Sequence, residues 1–142
     1  MTPNRSSSSS ADAIPASAHV EGETRPNIGR LLLHSFEVFS DRIVAGVRDR
    51  GFPDFRLTDT KVLRYLEAEG TQITVLAERA HMTKQAMSEL VRRVERQGYV
   101  ERRPDPADGR AKRVHLTARG ERVTEAARAT YRSIVDDWRE AL

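Results

Sequence analysis

Residues 83–117, TKQAMSELVRRVERQGYVERRPDPADGRAKRVHLT, contain the strongest structural signal in this chain. Thr83 can cap an amphipathic helix, and Gly98 suits the left-handed position at which helices often end. Strands are then expected at 99–103 and 112–116, because the connection between them holds two prolines and a glycine, which favour a loop. A helix beside a basic hairpin has a shape that fits the two grooves of DNA, so the segment indicates a transcription regulator.

The size and composition of the chain favour one soluble domain. It has 142 residues, of which 38% are hydrophobic and 32% charged. No apolar run approaches the roughly 18 residues that a membrane span needs, and the serine-rich start lacks the apolar core of a signal peptide. With no cysteine, thiol-based redox sensing and cysteine-ligated metal are excluded. The cytoplasm is the expected compartment.

Positive charge is concentrated in one part of the sequence. The net charge is +3, but residues 79–113 hold ten Lys/Arg against five Asp/Glu, which leaves a local charge of +5. A basic patch on a nearly neutral body is typical of a nucleic-acid-binding protein. The ten basic residues are Arg79, Lys84, Arg92, Arg93, Arg96, Arg102, Arg103, Arg110, Lys112 and Arg113.

The chain divides into a tail and one domain. Residues 1–25 are rich in Ser, Ala and Pro without apolar periodicity, which predicts a disordered tail, and residues 26–142 form the domain. Within it, residues 26–56 are expected to form a long N-terminal helix that starts near Pro26, because apolar residues recur every three or four positions. Thr58 is expected to cap a second helix, with Leu57 packed on Val62, and Gly70 to end it.

Residues 57–116 predict a winged helix-turn-helix. After a short strand at 72–73, Thr74 is expected to cap a third helix at 75–80, and His81 and Met82 link it tightly to the fourth. Two short helices joined by so brief a turn are typical of a helix-turn-helix. Thr117 then caps a last helix through 117–142. The predicted fold class is mainly α with a small antiparallel β-hairpin wing.

The fourth helix has one apolar and one polar face. Gln85, Ser88 and Arg92 gather on the polar face, opposite Met87 and its apolar neighbours. Gln can pair with adenine and Arg with guanine, whereas Ser is less selective. Lys84 and Arg96 suit phosphates, which set register without specifying sequence. Taken alone, this face is more typical of an ordinary solvated helix surface, but the flanking turn and hairpin favour DNA binding.

The connection between the two strands predicts a groove-inserting wing. Arg110 lies near its tip, and a narrow minor groove attracts an inserted arginine. Asp108 is expected to orient the Arg110 guanidinium by a charge-assisted hydrogen bond, and Gly109 would let the loop turn sharply. Arg113 follows at the base of the wing. The alternative is an ordinary polar turn in which Asp105 and Asp108 accept turn hydrogen bonds.

These motifs together resemble the MarR family of winged helix-turn-helix regulators. The resemblance spans about residues 28–142 and is most specific at 76–120, including the run from Gly98 to Arg110 and the later Leu-Thr-Ala-Arg-Gly. It implies a homodimer that binds pseudo-palindromic double-stranded DNA, commonly as a repressor released by a small ligand. The family's Asp-x-Arg wing motif falls on Asp108 and Arg110. Gly109 replaces an arginine that is common in the family, so one contact fewer is expected there.

The long terminal helices are expected to form the dimer. Apolar residues of the last helix recur at nearly coiled-coil spacing, and a partner would cover them together with the apolar face of the first helix. The alternative is that the last helix packs on the first helix of its own protomer. The predicted interface consists of Ile28, Leu32, Val123, Ala127, Tyr131, Ile134, Trp138 and Leu142. The family usually carries a further C-terminal helix, so a weaker dimer is a second possibility.

The predicted DNA contacts are Thr83, Lys84, Gln85, Ser88, Arg92, Arg96, Asp108, Arg110 and Arg113. His34, Phe36, Phe39 and Arg64 are possible effector contacts but equally ordinary core or surface residues, so the effector site stays unknown. No nucleophile–base pair or phosphate-binding loop is present, which argues against an enzyme, and the histidine spacing argues against a metal site. The alternative function is a winged-helix protein-interaction module. The operator and the regulated genes are not encoded in these patterns.

Overall fold

The computed structural model describes residues 27–142, and the predicted tail at 1–25 and the helix start at Pro26 lie outside them. The elements in chain order are α1 (Ile28–Asp49), a 3-10 turn (Leu57–Asp59), α2 (Thr60–Leu63), β1 (Thr71–Gln72), α3 (Ile73–Arg79), α4 (Lys84–Arg96), β2 (Val100–Pro104), β3 (Lys112–Leu116) and α5 (Ala118–Ala141). The strands form an antiparallel sheet in the order β1-β3-β2. The predicted fold class, mainly α with a small hairpin wing, is confirmed. No helix in this part of the chain is long and apolar enough to cross a membrane.

Two of the predicted helix caps are confirmed. The Thr83 side chain accepts a hydrogen bond from the Ala86 backbone N–H at 3.1 Å, which satisfies one unpaired donor at the start of α4. The Thr117 side chain likewise accepts from the Gly120 N–H at 3.0 Å at the start of α5. At the other end of α4, Gly98 has φ +80° and ends the helix as predicted.

The second and third helices differ from the prediction. α2 ends at Leu63 rather than near Gly70, and the Thr58 hydroxyl accepts from Arg93 instead of capping it. The Asp59 side chain instead closes the preceding 3-10 turn, since its Oδ2 accepts from the Arg56 N–H at 2.8 Å, and α2 itself has no side-chain cap. α3 begins at Ile73, so Thr74 lies inside it rather than at its cap. These short helices depend on long-range contacts that local sequence does not reveal.

The turn between α3 and α4 contains a strained residue. His81 has φ +53°, the only left-handed conformation of a non-glycine residue in the described chain. The Met82 N–H donates to the Ala77 carbonyl at 2.9 Å and the His81 N–H to the Glu78 carbonyl at 3.2 Å. This is the hydrogen-bond pattern of a Schellman motif, and it holds α3 and α4 at the angle of a helix-turn-helix.

The core lies between the C-terminal half of α1, the helix-turn-helix, the sheet and α5, and Tyr99 and Phe55 are its largest fully buried side chains. α5 packs antiparallel on α1: the Phe39 ring lies 5.9 Å from that of Tyr131 and 5.7 Å from that of Trp138. Further along, Gly46 lies so close to Thr130 that an added Cβ would meet its Cγ2 at 2.4 Å. Much of α5 therefore packs on α1 of its own protomer, which is the alternative that the sequence left open.

Val123 and Ile134 correct the predicted dimer seam. Both are buried in the core of their own protomer, with 0% and 2% of their surface exposed, so a partner cannot contact them. The apolar residues of α5 are split between the core and the surface, because one part of its apolar face packs on α1 and the sheet. Six interface residues remain, of which Ala127 is half-buried and Ile28, Leu32, Tyr131, Trp138 and Leu142 are exposed.

Candidate nucleic-acid interface

The ten basic residues of the 79–113 patch divide into two equal groups. Five form ion pairs within the protomer: Arg79 with Glu67, Arg93 with Asp59, Arg102 with Glu95, Arg103 with Glu101, and Arg113 with Asp105. The other five are exposed and take part in none of the ion pairs among residues 27–142: Lys84, Arg92, Arg96, Arg110 and Lys112. We call the second group the unpaired cations.

Three of the unpaired cations lie along the outer face of α4. Lys84 and Arg92 line one shallow surface depression together with Gln85, Ser88 and Glu89, and Arg96 is exposed one turn further on. Met87, Leu90, Val91 and Val94 are buried on the opposite face. The amphipathic division predicted for this helix is therefore present, and it brings the predicted base-contacting residues together.

The inner side of α4 is held by a buried ionic network. Asp59 is fully buried, and its carboxylate accepts from the Arg93 guanidinium and, at 3.0 Å, from the Gln97 amide. Arg93 also donates to the Thr58 hydroxyl at 2.7 Å, and Gln97 to the Asp54 carbonyl at 2.7 Å. A buried carboxylate needs such partners, and together they fix the rotation of α4 about its axis.

At the wing tip the structure corrects one prediction. Asp108 Oδ1 accepts from the backbone N–H of Arg110 at 3.1 Å, and the Asp108 carbonyl accepts from Ala111 N–H at 3.0 Å. The carboxylate therefore makes a turn hydrogen bond and does not orient the Arg110 guanidinium, since the backbone donor two residues on is the nearer partner. The Arg110 side chain stays exposed, and Gly109 has open space where a side chain would be.

The base of the wing is held by Asp105, which is 4% exposed. Its Oδ2 accepts from Arg113 Nε at 2.8 Å and from Gln72 Nε2 at 3.1 Å, and its Oδ1 from Ala107 N–H at 2.9 Å. The hydrogen bond from Arg113, followed by that from Ala107, lowers the pKa of Asp105 to about 2. Arg113 also donates to the Gly70 carbonyl at 3.3 Å, so its guanidinium is engaged within the protomer, unlike those of the other predicted DNA contacts.

Sequence reasoning missed Asp59 and assigned Asp105 to turn bonds alone. Their partners Arg93 and Gln72 lie 34 and 33 residues away in the chain, so no local pattern relates them. No local signal marks either carboxylate, since Asp59 is flanked by Thr58 and Thr60, and Asp105 by Pro104 and Pro106. The turn hydrogen bond from Ala107 to Asp105 is present alongside the ion pair.

The possible effector contacts do not form one site. His34 and Phe36 lie on the exposed part of α1, whereas Phe39 packs on aromatic rings of α5. The Arg64 guanidinium lies over the ring of its neighbour Tyr65, 5.5 Å from the centroid. Within residues 27–142 no three His, Asp or Glu side chains are grouped as a metal site would need.

Comparison with known proteins agrees with this geometry. A MarR family model matches residues 54–111. The transcriptional regulator HosA of Escherichia coli O111:H- is 38% identical over 76 residues, which are 53% of this chain and 56% of HosA. The chain thus spans about half the length of the curated relatives it matches.

Solved structures share the whole described fold. A MarR family transcription regulator, SP03579, superposes with a TM-score of 0.65 at 26% identity, covering 80% of this chain and 72% of that one. A mutant of S. aureus MepR bound to an oligodeoxyribonucleotide has a TM-score of 0.66 at 20% identity, covering 83% and 86%. YusO of Bacillus subtilis has the same TM-score and identity over 82% and 81%. The winged helix-turn-helix region is therefore similar to the MarR family model, and the described fold is shared with these structures.

Proposed function

We propose that this protein is a transcription regulator that binds double-stranded DNA as a homodimer and represses from a pseudo-palindromic operator. The observation that carries the proposal is the division of the basic residues. Five cations that join no ion pair within residues 27–142 are exposed on the outer face of α4 and on the wing, while Arg93 and Arg113 are neutralised by the buried carboxylates of Asp59 and Asp105. Unpaired cations on two projecting elements match the phosphate contacts that supply most DNA affinity.

In this proposal α4 enters the major groove. Gln85 and Arg92 contact base edges, where Gln pairs with adenine and Arg with guanine, and Ser88 contacts either. Lys84 and Arg96 contact phosphates, and the cap residue Thr83 orients the first turn that meets the bases. The five α4 side chains other than the cap residue Thr83 lie on one face of the helix, which supports the assignment.

The wing contacts the adjacent minor groove. Arg110 is exposed at the tip and free to enter a narrow, A/T-rich groove, where negative potential is concentrated. Asp108 acts by shaping the turn through its bond to the Arg110 backbone, and Arg113 acts by anchoring the wing base to Asp105. Asp108 and Arg113, which the sequence predicted to contact DNA, are thus assigned structural roles in the wing instead.

The homodimer is supported by the apolar surface of the two long helices. Ile28, Leu32 and Phe36 are 71%, 66% and 62% exposed on α1, and Tyr131 and Trp138 are exposed on α5. An exposed apolar surface of this kind marks an interaction site, and a two-fold axis would let it cover itself. Release by a small effector and a cytoplasmic location stay predictions from the family resemblance.

Selection of bound sequences from random DNA, followed by a salt titration on the selected site, tests the proposal. Neutralising several phosphates predicts that log K falls linearly with log salt, with a slope near about −0.9 for each phosphate contacted. A motif with two half-sites about 10 bp apart would support binding as a dimer. A flat salt dependence and no enriched motif would contradict DNA binding and favour the protein-interaction module.

A further inference from the structure

α5 begins in direct backbone contact with the end of α4. The Thr117 N–H donates to the Tyr99 carbonyl at 3.1 Å, and the Thr117 hydroxyl donates to the Gly98 carbonyl. A Cβ on Gly120 would lie 1.9 Å from the Tyr99 carbonyl oxygen, so no side chain fits there. The two helices therefore meet without a flexible linker.

Arg119, in the first turn of α5, connects the end of α4 to the segment between α1 and the 3-10 turn. Its Nε donates to the Gln97 carbonyl at the end of α4, at 3.1 Å, and its Nη2 donates to Asp54 Oδ1 at 3.3 Å. Its guanidinium also lies over two rings, 5.3 Å from the centroid of Phe52 and 5.2 Å from that of Tyr99. A planar cation suits such combined stacking and hydrogen bonding, which lysine cannot reproduce.

Asp54 continues the network from Arg119 towards α4. Its Oδ1 also accepts from the Tyr99 hydroxyl at 2.5 Å, and its backbone carbonyl accepts from Gln97 Nε2. Burial and the Asp54 carboxylate raise the pKa of Tyr99, so the phenol remains a donor at neutral pH. Because Gln97 also donates to Asp59, the network runs without a break from the first turn of α5 to the inner side of α4.

We propose that Arg119 is a positioning residue that holds α4 at one angle to α5, so that the dimer accepts one spacing between operator half-sites. The inference rests on the proposed function, because it takes α4 as the DNA-contacting helix and α5 as part of the dimer interface. Arg119 itself lies away from the α4 depression and is assigned no DNA contact.

The geometry of the long helix makes the angle important. With 24 residues, α5 is about 36 Å long at about 1.5 Å per residue. A change of about 10° at the joint displaces the far end of such a helix by about 6 Å, nearly two base-pair steps of about 3.4 Å. A small change of angle at this joint, which Thr117 and Gly120 hold through the backbone and Arg119 through its side chain, is therefore enough to alter half-site spacing.

The first test measures the joint without DNA. The chain has no cysteine, so Gln85→Cys on α4 and Ser133→Cys on α5, both at exposed positions, give one spin-label pair per protomer. Labelled protein mixed with an excess of unlabelled protein reports the distance within one protomer by pulsed electron paramagnetic resonance. Arg119→Ala should broaden the distance distribution, because the guanidinium contacts are lost.

Arg122→Ala is the matched control, since Arg122 is exposed on the same helix and joins none of the ion pairs of the described chain. Its distance distribution should equal that of the parent protein. Arg119→Lys keeps the charge but not the stacking plane, so an intermediate width is expected. Equal widths for the parent, Arg119→Ala and Arg119→Lys would overturn the inference, whatever the protein binds.

The second test uses DNA. On the selected operator and on versions with one base pair added or removed between half-sites, we expect the parent to lose at least about tenfold in affinity, comparable to a mismatched site. Arg119→Ala should lose less than about threefold on the same change, because a looser joint tolerates it. An unchanged spacing preference in a folded Arg119→Ala contradicts the inference, whereas absence of parent binding contradicts the proposed function instead.

Discussion

Arg92 and Arg93 are neighbours on α4, yet their side chains lie in opposite environments. Arg92 is exposed on the outer face and joins no ion pair with any residue from 27 to 142, while Arg93 is bonded to the fully buried Asp59 on the inner side. The same contrast separates Arg110, exposed at the wing tip, from Arg113, bonded to buried Asp105 at the wing base. We call Arg93 and Arg113 the inner cations and Arg92 and Arg110 the outer cations. We expect the inner cations to position the outer ones, so substitutions on each side should have different effects.

The largest expected effect lies on the inner side. Arg93→Ala should lower the free energy of unfolding by about 3 kcal/mol, because it leaves the buried Asp59 carboxylate without its cation. Arg92→Ala, the adjacent control, should change it by less than about 0.5 kcal/mol. Urea denaturation of both variants measures this difference, and equal stabilities would show that the two sides of α4 are not distinct.

Substitution of the exposed arginines Arg92 and Arg110 should change DNA affinity rather than stability. Arg92→Ala and Arg110→Ala should each cost about 1–3 kcal/mol in binding to the selected operator, with little change in stability. Arg103→Ala is the control, because Arg103 is exposed but paired with Glu101. Fluorescence anisotropy with labelled operator distinguishes them. Unchanged affinity in both variants would contradict the DNA contacts proposed for Arg92 and Arg110.

Substitution of Asp105 tests whether the Asp105–Arg113 ion pair affects DNA binding by positioning Arg110. Asp105→Asn should weaken operator binding by about fivefold, since loss of a charge-assisted bond loosens the wing. The loss should largely disappear in an Arg110→Ala background, because both changes then affect one contact. A double-mutant cycle checks this, and fully additive losses would mean that Asp105 acts independently of the wing tip.

The pH dependence of the wing base follows from the same residue. Because the pKa of Asp105 is lowered from 3.8 to about 2, its bond to Arg113 stabilises the fold fully above about pH 4 and is lost as the pH falls towards 2. Acid unfolding of the parent should therefore show a contribution that is missing in Asp105→Asn. Coincident acid-unfolding profiles of the two proteins would contradict this.

The smallest effect is expected at the turn that joins α3 to α4. His81→Gly should raise the free energy of unfolding by about 0.5–1 kcal/mol, because glycine adopts positive φ without steric cost. Gly98→Ala is the reciprocal change, with φ +80° and an ordinary contact to Arg119, and should be destabilising by about 1 kcal/mol. Thermal unfolding measures both, and changes of the same sign would show that backbone strain does not control these turns.

The sequence by itself determined the elements whose signals are local. The Thr83 and Thr117 caps, the glycine end of α4, the two faces of that helix and the hairpin all depend on residues within a few positions of one another. The bounds of the short helix α2 could not be predicted in this way, because it has four residues and no side-chain cap, and the partners of Asp59 at its start, Arg93 and Gln97, are distant in the chain.

Only the tertiary structure decided which basic residues are exposed and which are ion-paired within the protomer. Ten cations in one stretch look alike in sequence, but five find carboxylates, two of them buried and reached from 34 and 8 residues away. It likewise placed Val123 and Ile134 in the core and left Tyr131 and Trp138 exposed, although all four share one periodic pattern. The physical reason is that burial and ion pairing depend on what the rest of the chain brings alongside, which helical periodicity does not encode.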